Sequence, residues 1–326
     1  MNSFGKLLRV SVFGESHGEV VGVTIDGIPA GISIVKDDFY ADLQRRRSGA
    51  KGTTPRKETD EPQIISGYFQ QKTTGAPFTV VFQNSNIRSN DYNFREIPRP
   101  GHADFTADKK FHGFQDDRGG GHFSGRMTLG LVVAGVVAKK IIPEVTISAS
   151  LISVKSNNNI EEELNIAIEK KDSIGGIVEC SVSGLPVGLG EPFFDSVESL
   201  ISHAVFSIPA IKGIEFGVGF AGANMYGSEH NDLFVNKNGT TLTNNNGGIN
   251  GGLTNGNDLV FRVVVKPTSS ISLPQKTFNF QKNELQNLEI KGRHDVCIAL
   301  RIPVVIEAVT AFVLADLFLI HKSYSA

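Results

Sequence analysis

The sequence has little of what marks secreted or zinc-binding proteins. Its 326 residues include only two cysteines, Cys180 and Cys297. Two cysteines are too few for a disulfide framework and do not suit a structural zinc site. The N-terminal residues also lack the charged, apolar and small-residue order of a signal peptide. We therefore expect a cytoplasmic protein, and no spacing of histidine and acidic residues indicates a metal site.

The chain also lacks an excess of charge of either sign. Charged residues make up 20% of the sequence, and the formal net charge is −2. Because a nucleic-acid surface needs a basic excess, no nucleic-acid partner is expected. Arginine is instead concentrated locally, at positions 45–47 and near glycine-rich segments at Arg118, Arg126 and Arg293. This pattern favours a small phosphate or carboxylate ligand.

Long apolar runs are rare as well. The longest, residues 304–320, is interrupted by Glu307 and Asp316 and is short for a membrane span. We expect a buried helix that begins after Pro303, and no membrane partner.

The hydrophobic patterns predict a mixed α+β fold. Strands are predicted at residues 20–26, 78–83, 145–154, 177–183, 214–220 and 259–265. Helices are predicted at residues 38–47, 126–142, 195–206 and 304–321, the third with a capping box formed by Asp195 and Glu198. The strands and helices do not alternate regularly, which argues against a doubly wound parallel sheet. Residues 231–257, rich in asparagine and glycine, are interpreted as a long mobile loop.

One segment recurs within the chain. The sequence GIPAGI at residues 27–32 returns as GLPVGL at residues 184–189, and each copy follows a predicted strand and precedes a predicted helix. This indicates a duplicated strand–turn–helix unit. We therefore expect one domain with two related halves, approximately residues 1–150 and 151–326.

Most of the histidines lie in turn-like clusters beside glycine, arginine or acidic residues. These are His17, His102, His112, His122, His230 and His294. Loops that carry titratable groups are typical places for catalysis. The sequence therefore favours an enzyme that acts on an anionic substrate.

Two common motifs are present without their usual context. Residues 14–18 match the G-x-S-x-G pattern of a serine hydrolase, but a strand pattern follows Ser16 where that motif needs a helix. Residues 217–222 match the dinucleotide pattern G-x-G-x-x-G, but no convincing helix follows to bind a pyrophosphate. A serine hydrolase is therefore a distant alternative.

Six segments, read in order, resemble the chorismate synthase family. They are residues 13–18 (FGESHG), 45–49 (RRRSG), 99–104 (RPGHAD), 117–121 (DRGGG), 266–270 (KPTSS) and 292–295 (GRHD). Each segment is unspecific alone, but the ordered set spans nearly the whole chain. The resemblance implies a β-α-β sandwich core that is not a Rossmann fold, and a homotetramer.

The resemblance also implies a reaction. Members of this family convert 5-enolpyruvylshikimate 3-phosphate to chorismate and phosphate by a 1,4-elimination that requires reduced FMN. This is the last common step of the shikimate pathway, which supplies aromatic amino-acid biosynthesis. No flavin reductase segment is visible in the sequence, so a separate reductase is expected; direct binding of NADP is left open.

By resemblance, three residues are assigned to catalysis. His17 would act as an acid on the departing phosphate, and His102 would stabilise the reduced flavin. Asp295 would assist removal of the ring proton together with the flavin N5. The residues implied in substrate binding are Ser16, Arg46, Arg47 and Arg126, and arginine suits phosphate and carboxylate groups.

The flavin site is carried over by position. It comprises His122, Phe123, Ser124, Pro209, Ala210, Gly251, Lys266, Pro267, Thr268, Ser269, Ser270 and Arg293. Much of the family has Arg-Ser-Ser where this chain has His122-Phe123-Ser124, so His122 could offer a donor to the flavin instead, and Arg126 could restore the charge. The main alternative is a flavin- or phosphate-binding protein that has lost catalysis.

Overall fold

A computed structural model describes residues 2–55, 58–85, 94–290 and 294–324. Its helices are α1 Asp37–Arg46, α2 Asp104–Phe111, α3 Thr128–Ile141, α4 Ile160–Glu169, α5 Val197–Val205, α6 Gly227–His230 and α7 Pro303–Tyr324. Its strands are β1 Ser3–Phe4, β2 Arg9–Gly14, β3 Val20–Asp26, β4 Gln63–Ser66, β5 Tyr68–Phe69, β6 Lys72–Thr73, β7 Phe78–Gln83, β8 Thr146–Val154, β9 Gly176–Ser183, β10 Ile211–Phe216, β11 Ile249–Asn250, β12 Leu253–Thr254, β13 Leu259–Val265, β14 Gln275–Asn279 and β15 Glu284–Leu288.

Two antiparallel sheets form the outer layers of the fold. The first has the order β1-β2-β3-β7-β4, and the second has the order β10-β13-β9-β8. Their strands alternate between buried apolar and more exposed residues; in β9, for example, Val178, Cys180 and Val182 are buried. Each sheet therefore turns one apolar face inward.

A layer of helices lies between the two sheets. α3 packs on β2 and β3, α7 packs on β8 and β9, and α3 and α7 pack against each other. Gly135 permits this close approach, because a Cβ there would lie 2.4 Å from the Cβ of Ala308. With antiparallel sheets on either side of the helices, the architecture is α+β and differs from a Rossmann fold.

The central helix α7 is long and apolar enough to cross a membrane by length and composition alone. Every residue from Val304 to Leu317 is buried inside the protein. The predicted buried helix is therefore confirmed, and it forms the middle of the core.

The strong sequence patterns gave accurate element bounds. β3, β7 and β13 have the predicted bounds, and α1, α3, α5 and α7 lie within a few residues of theirs. The predicted capping box is wrong, because the hydroxyl of Ser196, not Asp195, caps α5 by accepting the N–H of Ser199 at 3.1 Å. Asp195 lies in the preceding turn and pairs with Lys6.

The predicted strand at residues 214–220 also needs correction, whereas the predicted loop at residues 231–257 is largely irregular and contains one short hairpin. β10 ends at Phe216, because Gly217 and Gly219 have positive φ angles of 56° and 55° that leave the extended conformation. The asparagine-rich segment contains the β11–β12 hairpin, and Asp232 in it accepts the backbone N–H groups of Asn245 and Asn246 at 2.7 and 2.9 Å.

The two copies of the recurring segment make matching hydrogen bonds. In the first half, the hydroxyl of Thr73 donates to the carbonyl of Pro29 at 2.7 Å. In the second half, the hydroxyl of Thr254 donates to the carbonyl of Pro186 at 2.6 Å. Both threonines end a short hairpin, β5–β6 or β11–β12, that precedes a long central strand.

Candidate active site

One large cavity collects most of the residues that the sequence singled out. Its volume is about 1170 Å³, and it lies where the end of α1, the start of α3 and the loop after β13 meet. The predicted residues that line it are Ser16, His17, Arg46, Arg47, His102, His122, Phe123, Ser124, Arg126, Pro209, Ala210, Lys266, Pro267, Thr268, Ser269, Ser270 and Asp295.

Of the predicted flavin residues, one is placed away from this cavity and one is not described by the structure. Gly251 occupies the exposed tip of the β11–β12 hairpin and does not line the cavity. Arg293 lies outside the described residues.

The cavity wall is strongly cationic. Among the described residues that line it, eight are arginine or lysine and three are aspartate or glutamate. The basic residues are Arg45, Arg46, Arg47, Arg99, Arg126, Lys212, Lys266 and Arg301. In a partly closed, low-dielectric site, such an excess attracts anions more strongly than it would in water.

Two buried arginines share one buried carboxylate. The Nη2 of Arg46 donates to Oδ2 of Asp60 at 3.0 Å, and the Nη1 of Arg126 donates to Oδ1 at 2.9 Å. Burial alone would raise the pKa of Asp60, but the two guanidinium groups outweigh it and hold that pKa below its usual value. Burial, together with the like charges of Arg301 and Arg126, lowers the pKa of Arg46 to about 10.

Local structure places Arg46 and Arg126 at opposite helix ends. Arg46 is in the last turn of α1, whose first turn carries Asp37 and Asp38, an arrangement that complements the helix dipole. Arg126 lies in a short turn before α3, and the hydroxyl of Ser124 accepts its backbone N–H at 3.2 Å. The two helix ends meet at the cavity.

His17 lies in the turn between β2 and β3 and is almost fully buried. Its Nδ1 is 3.0 Å from the hydroxyl of Ser16, a contact that fixes the orientation of the ring and of its second titratable nitrogen, Nε2. β3 follows this turn, so the strand–turn–helix arrangement of a serine hydrolase is not formed around Ser16.

His102 belongs to a tight charged group at the start of α2. Its Nδ1 is 2.6 Å from Oδ1 of Asp104 and 3.0 Å from Nη2 of Arg99. Arg99 also donates to both oxygens of Asp104 and to the carbonyl of Gly119. Burial of Asp104 opposes its charge, but the hydrogen bonds from Arg99 and His102 prevail and lower the pKa of this carboxyl. The imidazole of His102 is thereby held in one orientation at the cavity wall.

Asp295 is held by two groups that the sequence analysis did not single out. The backbone N–H of Thr54 donates to its Oδ1 at 2.9 Å, and Nη1 of Arg301 lies 3.3 and 3.2 Å from its two oxygens. Arg301 also donates through Nε to the carbonyl of Arg46 at 2.8 Å. Arg301 therefore ties the carboxylate of Asp295 to the end of α1.

The segment after β13 presents polar groups to the cavity. The ammonium of Lys266 donates to the carbonyl of Gly101 and to the hydroxyl of Ser269, both at 2.7 Å. Two nearby buried atoms, Oγ1 of Thr268 and Nε2 of His294, have no hydrogen-bond partner among the described residues. Burial, and after it the charge of Arg99, lowers the pKa of His294. Unsatisfied buried polar atoms at a cavity wall indicate a polar ligand.

The His122 ring is already engaged within the protein. Its Nδ1 lies 2.8 Å from the carbonyl of Gly14, and its Nε2 lies 3.1 Å from the side-chain oxygen of Asn2. Arg126 is likewise committed to Asp60, Asn84 and the carbonyl of Gln83. The ring face of His122, the backbone and the second N–H of each terminal nitrogen of Arg126 are the groups that remain for a ligand.

Sequence reasoning missed Asp60, Arg99 and Arg301 as site residues. Arg99 lies in one of the six family-like segments, so the sequence could have predicted it as a site residue. Asp60 and Arg301 carry no local signal, because each has a partner far away along the chain, Arg126 for Asp60 and Arg46 for Arg301. Contacts of that kind are determined by the tertiary fold.

The whole chain is similar to known proteins of one family. A sequence model of the chorismate synthase family matches residues 8–319. A chorismate synthase from Chitinophaga pinensis is 63% identical, over 99% of this chain and 98% of the relative. A chorismate synthase from Thermococcus kodakarensis is 43% identical, over 98% of each. A crystal structure of a chorismate synthase superposes with a TM-score of 0.74 at 26% identity, covering 98% of this chain and 93% of that one.

Proposed function

The chain belongs to the chorismate synthase family, lyases of the shikimate pathway, and from that premise we propose its full reaction. It converts 5-enolpyruvylshikimate 3-phosphate to chorismate and phosphate and depends on reduced FMN. The observation that carries the proposal is the meeting of His17, His102 and Asp295 with an arginine cluster in one cavity, although they lie far apart in the sequence.

The substrate carries one phosphate and two carboxylate groups, so it needs several cations. Arg46, Arg47 and Arg126 line the cavity beside His17. The Nε atoms of Arg46 and Arg47 are buried without a hydrogen-bond partner among the described residues. An anionic oxygen would satisfy them, and guanidinium groups bind phosphate and carboxylate oxygens in pairs.

In this proposal His17 acts on the leaving group. The elimination breaks a carbon–oxygen bond to phosphate and a carbon–hydrogen bond, and it forms a carbon–carbon double bond. The leaving phosphate gains negative charge as its bond breaks, and a proton from Nε2 of His17 would neutralise part of it. The contact between Nδ1 and Ser16 keeps the imidazole oriented for this transfer.

The residues present fit a flavin. Oγ1 of Thr268 and Nε2 of His294 lack partners among the described residues, and Lys266 offers a cation in the same wall. Phe123, which lines the cavity next to His122, offers an aromatic surface. When bound, reduced FMN would supply electron donation without net oxidation.

His102 and Asp295 complete the site. The contact with Asp104 holds His102 so that its second ring nitrogen is available to a ligand. Asp295 keeps its carboxylate close to Arg301, and its remaining lone pairs are available to accept a substrate proton.

The proposal is tested by measuring phosphate release from 5-enolpyruvylshikimate 3-phosphate under anaerobic conditions, with reduced FMN, with oxidised FMN and without flavin. We expect release only with reduced FMN, accompanied by chorismate absorbance. His17→Gln should lower the rate at least about 100-fold. His112→Gln, an exposed histidine outside the cavity, is the matched control and should leave the rate unchanged.

The same assay separates the alternatives. Release without reduced flavin would contradict the proposed cofactor. Tight FMN binding with no release would instead support a flavin-binding protein that has lost catalysis.

We propose a homotetramer in the cytoplasm, served by a separate flavin reductase. Exposed aromatic residues are consistent with assembly: Phe193, Phe194 and Phe220 are each at least 85% exposed, and contact with another subunit would remove their apolar surface from water. Light scattering of the purified protein tests the assembly, and a monomer would contradict it.

We also propose that the two halves of the chain arose by duplication. The matching hydrogen bonds of Thr73 and Thr254 support this, as does the pairing of β3 with β7 and of β9 with β13. In each half the central strand pair is followed by a long core helix, α3 or α7.

A further inference from the structure

Asp60 is a buried carboxylate inside a site that binds anions. Its side chain is 2% exposed and lies between Arg46, at 3.0 Å, and Arg126, at 2.9 Å. The Nε of Arg47 is 4.0 Å from the same carboxylate. One negative group thus contacts three of the arginines that face the cavity.

The backbone at Asp60 is also unusual. Its φ angle is 48°, in the left-handed region that non-glycine residues rarely adopt. Aspartate is among the side chains that tolerate this conformation. The conformation places the carboxylate between the ends of α1 and α3, where each oxygen meets a different guanidinium.

Asp60 engages only part of each arginine. Its carboxylate accepts one hydrogen bond from a terminal nitrogen of Arg46 and one from a terminal nitrogen of Arg126. The Nε atoms of Arg46 and Arg47 are buried and have no hydrogen-bond partner among the described residues. A buried donor without a hydrogen bond is unfavourable, so these atoms favour an incoming acceptor.

We propose that Asp60 is a positioning residue that holds Arg46 and Arg126 in the orientation that binds the substrate's anionic groups. The inference rests on the proposed function and names a residue that acts through the arginines. A carboxylate in an anion site would by itself repel the ligand. The presence of the Asp60 carboxylate is therefore explained by the geometry that it imposes on two like charges.

Positioning and simple charge balance predict opposite effects for Asp60→Asn. The substitution removes one negative charge and makes the cavity more cationic. If Asp60 only balanced charge, anions would bind more tightly. If it positions the arginines, anions bind more weakly, because the amide offers an N–H to one guanidinium and Arg46 and Arg126 repel each other.

The experiment measures binding of inorganic phosphate by calorimetry and the KM and kcat for 5-enolpyruvylshikimate 3-phosphate with reduced FMN. For Asp60→Asn we expect phosphate binding to weaken about tenfold and KM to rise by a similar factor, with a smaller change in kcat. Equal or tighter phosphate binding would overturn the proposal.

Asp42→Asn is the matched control. Asp42 lies in α1 and pairs with Arg45 and Lys139, but it does not line the cavity. The change in charge is the same, and phosphate binding should stay within about twofold of the wild type.

Asp60→Glu keeps the charge and moves it by one methylene, so it remains informative if Asp60→Asn fails to fold. Positioning predicts weaker phosphate binding, and unchanged binding would contradict it. The wild-type enzyme distinguishes the proposed function from the role of Asp60. No turnover by the wild type refutes the proposed function. Turnover by the wild type with no effect of either substitution refutes only the role of Asp60.

Discussion

Gly119 lies directly against the imidazole of His17. A Cβ at position 119 would be 2.3 Å from Cε1 of His17 and 2.7 Å from Nδ1. The φ angle of Gly119 is 65°, and its carbonyl accepts a hydrogen bond from Arg99 at 2.7 Å. The absence of a side chain at this position therefore gives the histidine its place, while the carbonyl anchors Arg99.

Gly119→Ala should displace His17. A shift of about 1 Å in a catalytic group costs about 100-fold in rate, so we expect kcat to fall by that factor while FMN binding is kept. Steady-state kinetics and flavin titration measure the two quantities. Gly188→Ala is the control, because Gly188 has a φ angle of 94° and a Cβ there would meet no atom within 4 Å. Gly188→Ala introduces the same backbone strain as Gly119→Ala but no contact with a neighbouring side chain. An equal loss of kcat in Gly188→Ala would contradict displacement of His17 as the cause.

Thr268→Val should separate flavin binding from stability. Oγ1 of Thr268 is buried without a partner among the described residues, so its removal should not lower the free energy of unfolding. If that hydroxyl bonds to the flavin, FMN affinity should fall about tenfold. Fluorescence titration and thermal unfolding measure the two effects. Thr310→Val, in α7 and away from the cavity, removes a hydroxyl that donates to the carbonyl of Ile306, and it should leave FMN affinity unchanged.

Glu307→Gln should destabilise the protein. Glu307 is buried in α7. Its carboxylate accepts hydrogen bonds from both terminal nitrogens of Arg45 at 2.6 Å and from the backbone N–H of Ala149 at 2.9 Å. Hydrogen bonds from Arg45 to Glu307 raise the pKa of Arg45, which means that Glu307 stabilises the charged form of Arg45. Because Arg45 is partly exposed and can turn to water, we expect a loss of about 2 kcal/mol in chemical denaturation.

An exposed ion pair provides the comparison for Glu307. Glu161 lies 3.4 Å from Lys51 on the surface. Glu161→Gln should change the free energy of unfolding by less than about 0.5 kcal/mol. Equal effects of the two substitutions would show that the buried contacts of Glu307 contribute nothing particular.

Asp104 should make the stability depend on pH. Its pKa in the folded protein lies below the ordinary value of 3.8, so the unfolded chain takes up this proton more readily than the folded one. The stabilisation is therefore fully present above about pH 5 and is lost as the pH falls through and below about 4. The difference in free energy of unfolding between wild type and Asp104→Asn should be largest near neutral pH and shrink on acidification.

Asp108→Asn, a substitution at a partly exposed aspartate in the same helix, serves as the control for Asp104. It should show a small difference that does not change over this range. A difference for Asp104→Asn that stays constant with pH would contradict the assignment.

Some of the fold followed from the sequence because its signals are local. Alternation of apolar residues located β3, β7 and β13 at their observed bounds, since a strand with one buried face needs that period. The strand end at Phe216 and the cap of α5 were misplaced. The end of the strand depends on the backbone angles at Gly217, and the cap depends on whether Asp195 or Ser196 accepts the first N–H groups of the helix. The pattern of apolar residues predicts neither.

By itself, the sequence determined the family, the α+β class and nearly all of the predicted residues that line the cavity, because turn clusters such as those of His17 and His102 carry chemistry in short segments. Only the tertiary structure decided how those residues are held. Asp60 on Arg126, Arg301 on the carbonyl of Arg46 and Gly119 against His17 are contacts between distant segments. Such contacts form only when two sheets close over a shared layer of helices, so no local pattern could predict them.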